Sequence, residues 1–214
     1  MYFYMTEPTS KLERKIEKFG GTVLTNIDSV SEGMNAFAVV DNDPYFGVRF
    51  AMARAHQLNC VTSEYIHHCC WFKKELHAKL YKPTYYTYDD TRYIFRLSKK
   101  ALPFEGRNIL ILSDSVSRAA RVIYLLKQSK AHAFYGYDYT QKFEKKKLNI
   151  EFDFTICLSK VPDDVMYTLK KMDAQPVNEK WLFDSIITGE LVDLFIEGDN
   201  YIPENYFDVP EVDY

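Results

Sequence analysis

The sequence predicts an α/β protein of two tandem domains, each a small, four-stranded, mainly parallel sheet flanked by helices. Three observations carry this. Short apolar runs alternate with helical stretches in the order β-α-β-β-α-β-α up to a break near residue 80. The alternation resumes at Asn108-Ile-Leu-Ile-Leu112. One helix motif also occurs twice: laying Val61 on Val177 puts Tyr65 on Trp181, Ile66 on Leu182 and Cys69 on Ser185. A repeat of about 115 residues is too long for a solenoid and suits two domains in series.

In chain order, Tyr2 to Met5 reads as a strand and Thr6-Glu-Pro-Thr as a polar turn. Ser10 caps a helix whose Leu12, Ile16 and Phe19 recur at helical spacing, until Gly20-Gly21 stops it. Strands follow at Thr22 to Thr25 and Ala36 to Val40, and a helix spans Tyr45 to Gln57. Asn59 to Val61 is a strand, and Ser63 opens the helix carrying Tyr65, Ile66, Cys69 and Phe72. Leu80 to Phe104 is rich in Tyr and polar residues, with a short helix expected over Asp90 to Lys99.

In the second half, Ser113-Asp-Ser caps a helix over Val116 to Gln128, and Ala131 to Tyr135 is the next strand, without a Gly-Gly turn before it. A basic insertion runs from Asp138 to Lys147. Glu151 to Leu158 is a strand entering the core, Pro162 opens a helix through Leu169, and Pro176-Val177 is a very short strand. Asn178 caps the Trp181 helix and Gly189 ends it. The expected boundaries are residues 1–82 for the first domain, 83–103 for a linker, 104–203 for the second domain and 204–214 for an acidic, aromatic tail.

Composition narrows the function. The 214 residues are 47% hydrophobic with a net charge of −3, so bulk electrostatics does not favour nucleic acid and direct DNA binding is not expected. The Lys142 to Lys147 run reads as a solvated loop. Four cysteines with an adjacent pair form no even disulfide framework and point to a reducing compartment. No apolar run reaches the roughly 18 residues of a membrane span, and the opening residues lack the pattern of a signal peptide. His67-His68-Cys69-Cys70 cannot enclose a metal ion, because four consecutive helical side chains diverge by about 100° each. Gly20-Gly21 follows a helix instead of a strand, which excludes a phosphate loop or dinucleotide fingerprint. No Gly-x-Ser-x-Gly or Cys/His nucleophile context is present. No enzyme activity, cofactor or metal is therefore expected.

Gly20-Gly21-Thr-Val after the first helix, the Val-x3-aromatic-x3-small motif around Tyr65 and Trp181, and Tyr81-Lys-Pro with Tyr201-Ile-Pro together resemble a tandem BRCT-repeat module. Leu102-Pro-Phe-Glu-Gly-Arg-Asn-Ile-Leu also looks like the entry to a second repeat. The resemblance covers nearly the whole chain; Tyr65 in place of Trp and the missing Gly-Gly near residue 130 depart from it. It makes Gly20, Gly21, Tyr65 and Trp181 structural residues.

The resemblance also implies a phosphoserine or phosphothreonine site in the first repeat, made by the Thr6 hydroxyl, the N–H of Glu7 and Arg49, which stands where the family uses Lys. A hydroxyl, an amide and a cation would give charge-assisted bonds to a group carrying about −1.5 to −2 charges. The plain alternative is that Thr6 caps a turn and Arg49 is a solvated cation, with Glu7 repelling any anion. A peptide-specificity pocket is implied at Phe46, Phe50, Val116 and Asp184; the alternative makes Phe46 and Phe50 core.

The resemblance thus implies a nuclear phosphopeptide-binding module of DNA-damage response or checkpoint signalling, its partner a phosphorylated peptide of a chromatin or repair protein. The rivals are a phosphate-independent BRCT scaffold with a constitutive partner and a small nucleotide-binding α/β enzyme.

Overall fold

The structure is a computed structural model that describes residues 1–31, 33–41, 47–88, 91–94, 102–137, 151–194 and 201–207. The chain divides into two compact units, Met1–Ala101 and Leu102–Tyr214.

In the first unit, β1 (Tyr2–Met5), β2 (Thr22–Leu24), β3 (Ala36–Val40) and β4 (Asn59–Thr62) form a parallel sheet in the order β2-β1-β3-β4. The helices are α1 (Ser10–Lys18), α2 (Val48–Ala55) and α3 (Ser63–Phe72). Successive strand residues point to opposite faces. Phe3, Met5, Phe37, Val39 and Val61 share one buried cluster with Ile16 of α1 and Tyr65, Ile66 and Cys69 of α3. Tyr4 and Cys60 belong to the opposite face, where α2 brings Arg49 and Arg54 against them. Coverage of both faces explains why β3 is a continuous apolar run instead of an alternating one.

Local details differ from expectation in three places. Thr9, not Ser10, occupies the N-cap of α1, and it makes no side-chain cap bond. Helix α2 begins at Val48; residues 42–46, where an earlier start was expected, lie outside the described residues. The helix expected over Asp90 to Lys99 is overturned where the structure describes it. Tyr85–Tyr88 (β5) pairs antiparallel with Thr91–Ile94 (β6), and the Arg92 guanidinium lies 4.1 Å from the Tyr85 ring centroid. Threonine, isoleucine and tyrosine at these positions favour a pleated pair over a helix.

The second unit repeats the plan. Its strands β7 (Asn108–Leu112), β8 (His132–Tyr137), β9 (Phe154–Cys157) and β10 (Gln175–Asn178) are parallel in the order β10-β9-β7-β8. Its helices are α4 (Val116–Gln128), α5 (Asp163–Lys171) and α6 (Glu179–Thr188). Helix α5 packs Val165, Met166 and Leu169 on Leu110, Leu112 and Cys157. Ser115 caps α4, its Oγ accepting from the Arg118 N–H. The expected basic insertion at residues 138–147 lies outside the described residues.

The missing Gly-Gly turn is replaced without loss of geometry. After α1, the Gly20 N–H donates to Glu17 O and the Gly21 N–H to Ile16 O, both at 2.9 Å; after α4, Lys130 and Ala131 donate to Lys127 O and Leu126 O at the same distance. Lys130 adopts φ 57° where Gly20 has 83°. At Gly21 a Cβ would sit 2.7 Å from the Phe3 ring and 2.8 Å from Ile16, so the first unit requires glycine where the second accepts alanine.

The repeated helix motif is real in space. The Asn178 side chain caps α6 by accepting from the Trp181 N–H at 3.1 Å, and Gly189 ends it at φ 78°. Trp181 is buried between Phe154, at 4.5 Å, and Phe104, at 5.5 Å, and its Nε1 donates to Val192 O at 2.8 Å. Tyr65 is its counterpart, buried with Phe37 at 5.6 Å and Tyr81 at 5.4 Å. Its hydroxyl reaches Met1 Sδ at 3.9 Å, and burial, then Cys69, raises its pKa. Tyr81 therefore closes the first unit on Tyr65. Tyr201 closes the second by donating to Asp184 Oδ2 at 2.8 Å. Asn205, expected in a separate tail, donates to Val161 O at 2.6 Å and Asp163 Oδ1 at 3.0 Å and so belongs to the second unit. Among the described residues, no helix is long and apolar enough to cross a membrane.

Candidate phosphate-binding site

Thr6 leaves β1 at the carboxyl end of the sheet. Its N–H and its hydroxyl both donate to Val39 O, at 3.0 and 3.2 Å. The hydroxyl bond is long, the side chain is partly exposed, and rotation about χ1 would free the proton for a ligand. The Glu7 amide donates to no described residue. Burial, and then the neighbouring Asp41 carboxyl, push the Glu7 pKa up. Two acidic groups thus flank the end of β1, which an anionic ligand has to tolerate.

Arg49 comes from the first turn of α2. Its Cζ lies 4.8 Å from the ring centroid of Tyr4, which stands two residues before Thr6 and shares its side of β1. Half-buried, the guanidinium keeps Nε sealed from water and, among the described residues, without a hydrogen-bond partner. Burial raises the Tyr4 pKa, and the Arg49 charge and hydrogen bond offset this in part. Gly47 precedes α2 and supplies no side-chain cap, so the first amides of the helix remain donors that favour negative charge.

The second unit has no equivalent among the described residues. Ser113 follows β7 as Thr6 follows β1, but it is buried; its Oγ donates to Ser115 O and accepts from the Ser115 N–H, both at 3.0 Å. Helix α5 opens with Asp163 and Asp164, carboxylates that repel an anion. The asymmetry between two otherwise matching units distinguishes the first as the one with a cation and a reachable hydroxyl.

The residues expected to form a peptide pocket are scattered in character. Phe46 lies outside the described residues. Phe50 is buried on α2, consistent with its alternative reading as core. Val116, the first residue of α4, is 70% exposed. Asp184 is 2% exposed, and its Oδ2 accepts from Tyr201 and from Lys180 Nζ, both at 2.8 Å. A buried carboxylate held by a phenol and an ammonium is a structural tie. Tyr4 and Asp41 were missed from the sequence; for Tyr4 the signal was its spacing of two from Thr6 in a strand. The His-Cys run is also accounted for: His67 Nδ1 lies 2.8 Å from Lys15 Nζ, His68 Nδ1 lies 3.0 Å from the Tyr81 hydroxyl, and Cys69 is core. Among the described residues, no three His, Cys, Asp or Glu side chains converge on a metal position.

No family model and no curated protein sequence matches the chain. Solved structures do. A crystal structure of Rtt107p matches with TM-score 0.57 at 13% identity over 91% of this chain and 89% of that one. A complex of Rtt107p with a phosphorylated histone matches with 0.56 at 12% identity, over 92% and 90%. The BRCT5-BRCT6 domains of S. pombe Brc1 match with 0.53 at 10% identity, over 96% and 98%. At such identities the likeness establishes the fold, a pair of BRCT-type α/β units.

Proposed function

On the premise of this tandem BRCT fold, we propose that the chain is a non-catalytic module that binds a phosphoserine or phosphothreonine peptide through the Thr6 hydroxyl, the Glu7 N–H and Arg49. The observation that carries the reading is the Arg49 guanidinium, a half-buried cation held over the Tyr4 ring on the side of β1 that Thr6 shares. A phosphate there would receive charge-assisted bonds worth about 1.5–3 kcal/mol net each. Arginine suits the task, because its planar fork can bind two phosphate oxygens at once. The Glu7 and Asp41 carboxylates subtract from this and make affinity moderate.

The complex of Rtt107p with a phosphorylated histone supports the ligand class. By the same likeness, the setting proposed is the nucleus and DNA-damage or checkpoint signalling, with a phosphorylated chromatin or repair protein as partner. The test is to titrate a phosphopeptide library against the wild-type chain and against Thr6→Ala with Arg49→Met. Selective binding of phosphorylated members by the wild type and its loss in the double variant are expected. Equal binding of phosphorylated and unphosphorylated peptides would sink the reading and leave a phosphate-independent scaffold.

A further inference from the structure

The opposite face of the first unit carries a second concentration of positive charge. Lys11, Lys15 and Lys18 recur at i, i+4 and i+7 on α1 and so line one flank of it, while Glu13 and Glu17 occupy the other. The lysine flank is the one facing α3: Lys15 Nζ meets His67 Nδ1 at 2.8 Å, and Cys70 Sγ donates to Lys15 O at 3.4 Å. Between the ends of the two helices lies a groove of about 500 Å³, floored by Phe19 and Cys70 and walled by Lys15, Lys18 and Lys73. Burial and then the charges of Lys15 and Lys11 lower the His67 pKa, while Glu64 opposes them; a neutral ring accepts from the Lys15 ammonium and leaves the positive charge on it. The C-terminal carbonyls of α1 and α3 are partly negative, but three full charges outweigh the half-charge of each helix end.

Trp71, the chain's other tryptophan, follows Cys70 in α3 and stands one helical turn after His67, the residue that meets Lys15. It is 78% exposed and Phe72 beside it 57%, against the near-complete burial of Trp181. A large aromatic ring left in water on the helix that also supplies Cys70 and Lys73 to the groove fits a ligand with repeating anions and flat apolar faces. We infer that the α1–α3 groove, lined by Lys15, Lys18 and Lys73, together with Trp71 one helical turn after His67, binds single-stranded nucleic acid. The lysines pair with successive phosphates and Trp71 offers its ring to a base. An acidic peptide would use the lysines but give the indole nothing to stack on. The groove lies on the α1–α3 face of the sheet, away from Arg49 on the α2 face, so the two binding modes are independent. A net charge of −3 for the whole chain thus conceals a local basic face.

The test is fluorescence anisotropy of a labelled oligothymidylate against the whole chain over a range of salt. Binding at low salt is expected, with a log–log salt slope of about −2 for three neutralised phosphates. Lys15→Gln with Lys18→Gln and Lys73→Gln is expected to weaken binding at least about tenfold and flatten that slope. Trp71→Ala is expected to weaken it about tenfold with the slope unchanged. Thr6→Ala with Arg49→Met is expected to leave it unaltered, which separates this site from the phosphopeptide site. The inference is overturned by absence of binding, or by binding that survives the triple lysine change. It is equally overturned by binding lost instead on neutralising Lys145, Lys146 and Lys147, or by displacement of the oligonucleotide by an acidic peptide at lower concentration than by unlabelled oligothymidylate.

Discussion

The Arg49 guanidinium lies over the Tyr4 ring, 4.8 Å from its centroid, so a strand residue two positions before Thr6 sets where the proposed phosphate-binding cation stands. A cation over an aromatic face gains about 0.5–2 kcal/mol, depending on exposure. Tyr4→Phe keeps the ring and is expected to retain phosphopeptide affinity. Tyr4→Leu releases Arg49 and is expected to lower affinity about three- to tenfold. Calorimetric titration of both variants checks this, with a circular dichroism spectrum to confirm that the sheet remains.

Glu7 carries a pH signature. Burial and Asp41 raise its pKa in the folded chain, so its contribution to stability is present at low pH and is lost as pH rises from the unfolded value through the folded one. At neutral pH the carboxylate is a small liability and repels an incoming phosphate. Glu7→Gln is therefore expected to tighten phosphopeptide binding a few-fold, on the order of 3, at pH 7. The difference in melting temperature between variant and wild type should vanish as pH falls through the carboxylate range. A variant that binds more weakly at neutral pH contradicts this placement of Glu7.

The two aromatic keystones should fail by cavity formation. Trp181→Ala is expected to cost about 3–5 kcal/mol, and Tyr65→Ala a similar amount, since both rings are buried among other aromatics. Chemical denaturation of each variant measures the loss.

Helix ends offer a finer test. Gly21→Ala drives a Cβ into Phe3 and Ile16 and is expected to destabilise by about 1–3 kcal/mol. Lys130→Gly places a glycine at φ 57° and is expected to stabilise by about 0.5–1 kcal/mol. Opposite shifts in denaturation midpoint from two changes at matching turns would verify the repeat at the level of backbone geometry.

Thiol reactivity reports the cores. Burial pushes Cys60 up to about 11, despite Arg54 nearby, and Cys157 up to about 12. Cys70 is half-buried; burial raises its pKa and the Lys15 charge opposes this. Iodoacetamide at pH 8 is expected to modify Cys70 first in the native chain and all four cysteines after unfolding, as read by peptide mass spectrometry.

Much of this architecture was legible because local signals agreed with tertiary demands. Asn178, Trp181 and Gly189 mark the cap, core and stop of α6 in sequence, and each does that job in the structure. Helix α4 and strand β7 begin and end where their periodicity says. The β5–β6 pair was missed, because a strand of 4 residues is too short to show its period, so the β-favouring side chains of Thr91 to Ile94 do not reveal their partner strand. Lys130 was missed as a left-handed turn because nothing in its side chain marks that conformation. In the candidate site, Thr6 and Arg49 came only from the resemblance to tandem BRCT modules, whereas the Glu7–Asp41 proximity depends on β1 and β3 lying side by side, a fact of topology. Asp184 entered the pocket by its position in the resemblance alone; its phenol partner lies 17 residues away, too far along the chain to be read from the helix itself.

The central claim is that an anion binds at the end of β1, under Arg49. The most direct measurement is a proton–nitrogen NMR titration of the isotopically labelled chain with a phosphoserine peptide and, separately, with its unphosphorylated twin. Large shifts of the Thr6 and Glu7 amides and of Arg49 Nε–H with the phosphopeptide alone are the predicted result. Shifts that are the same for both peptides, or that leave these three groups unmoved, would contradict it.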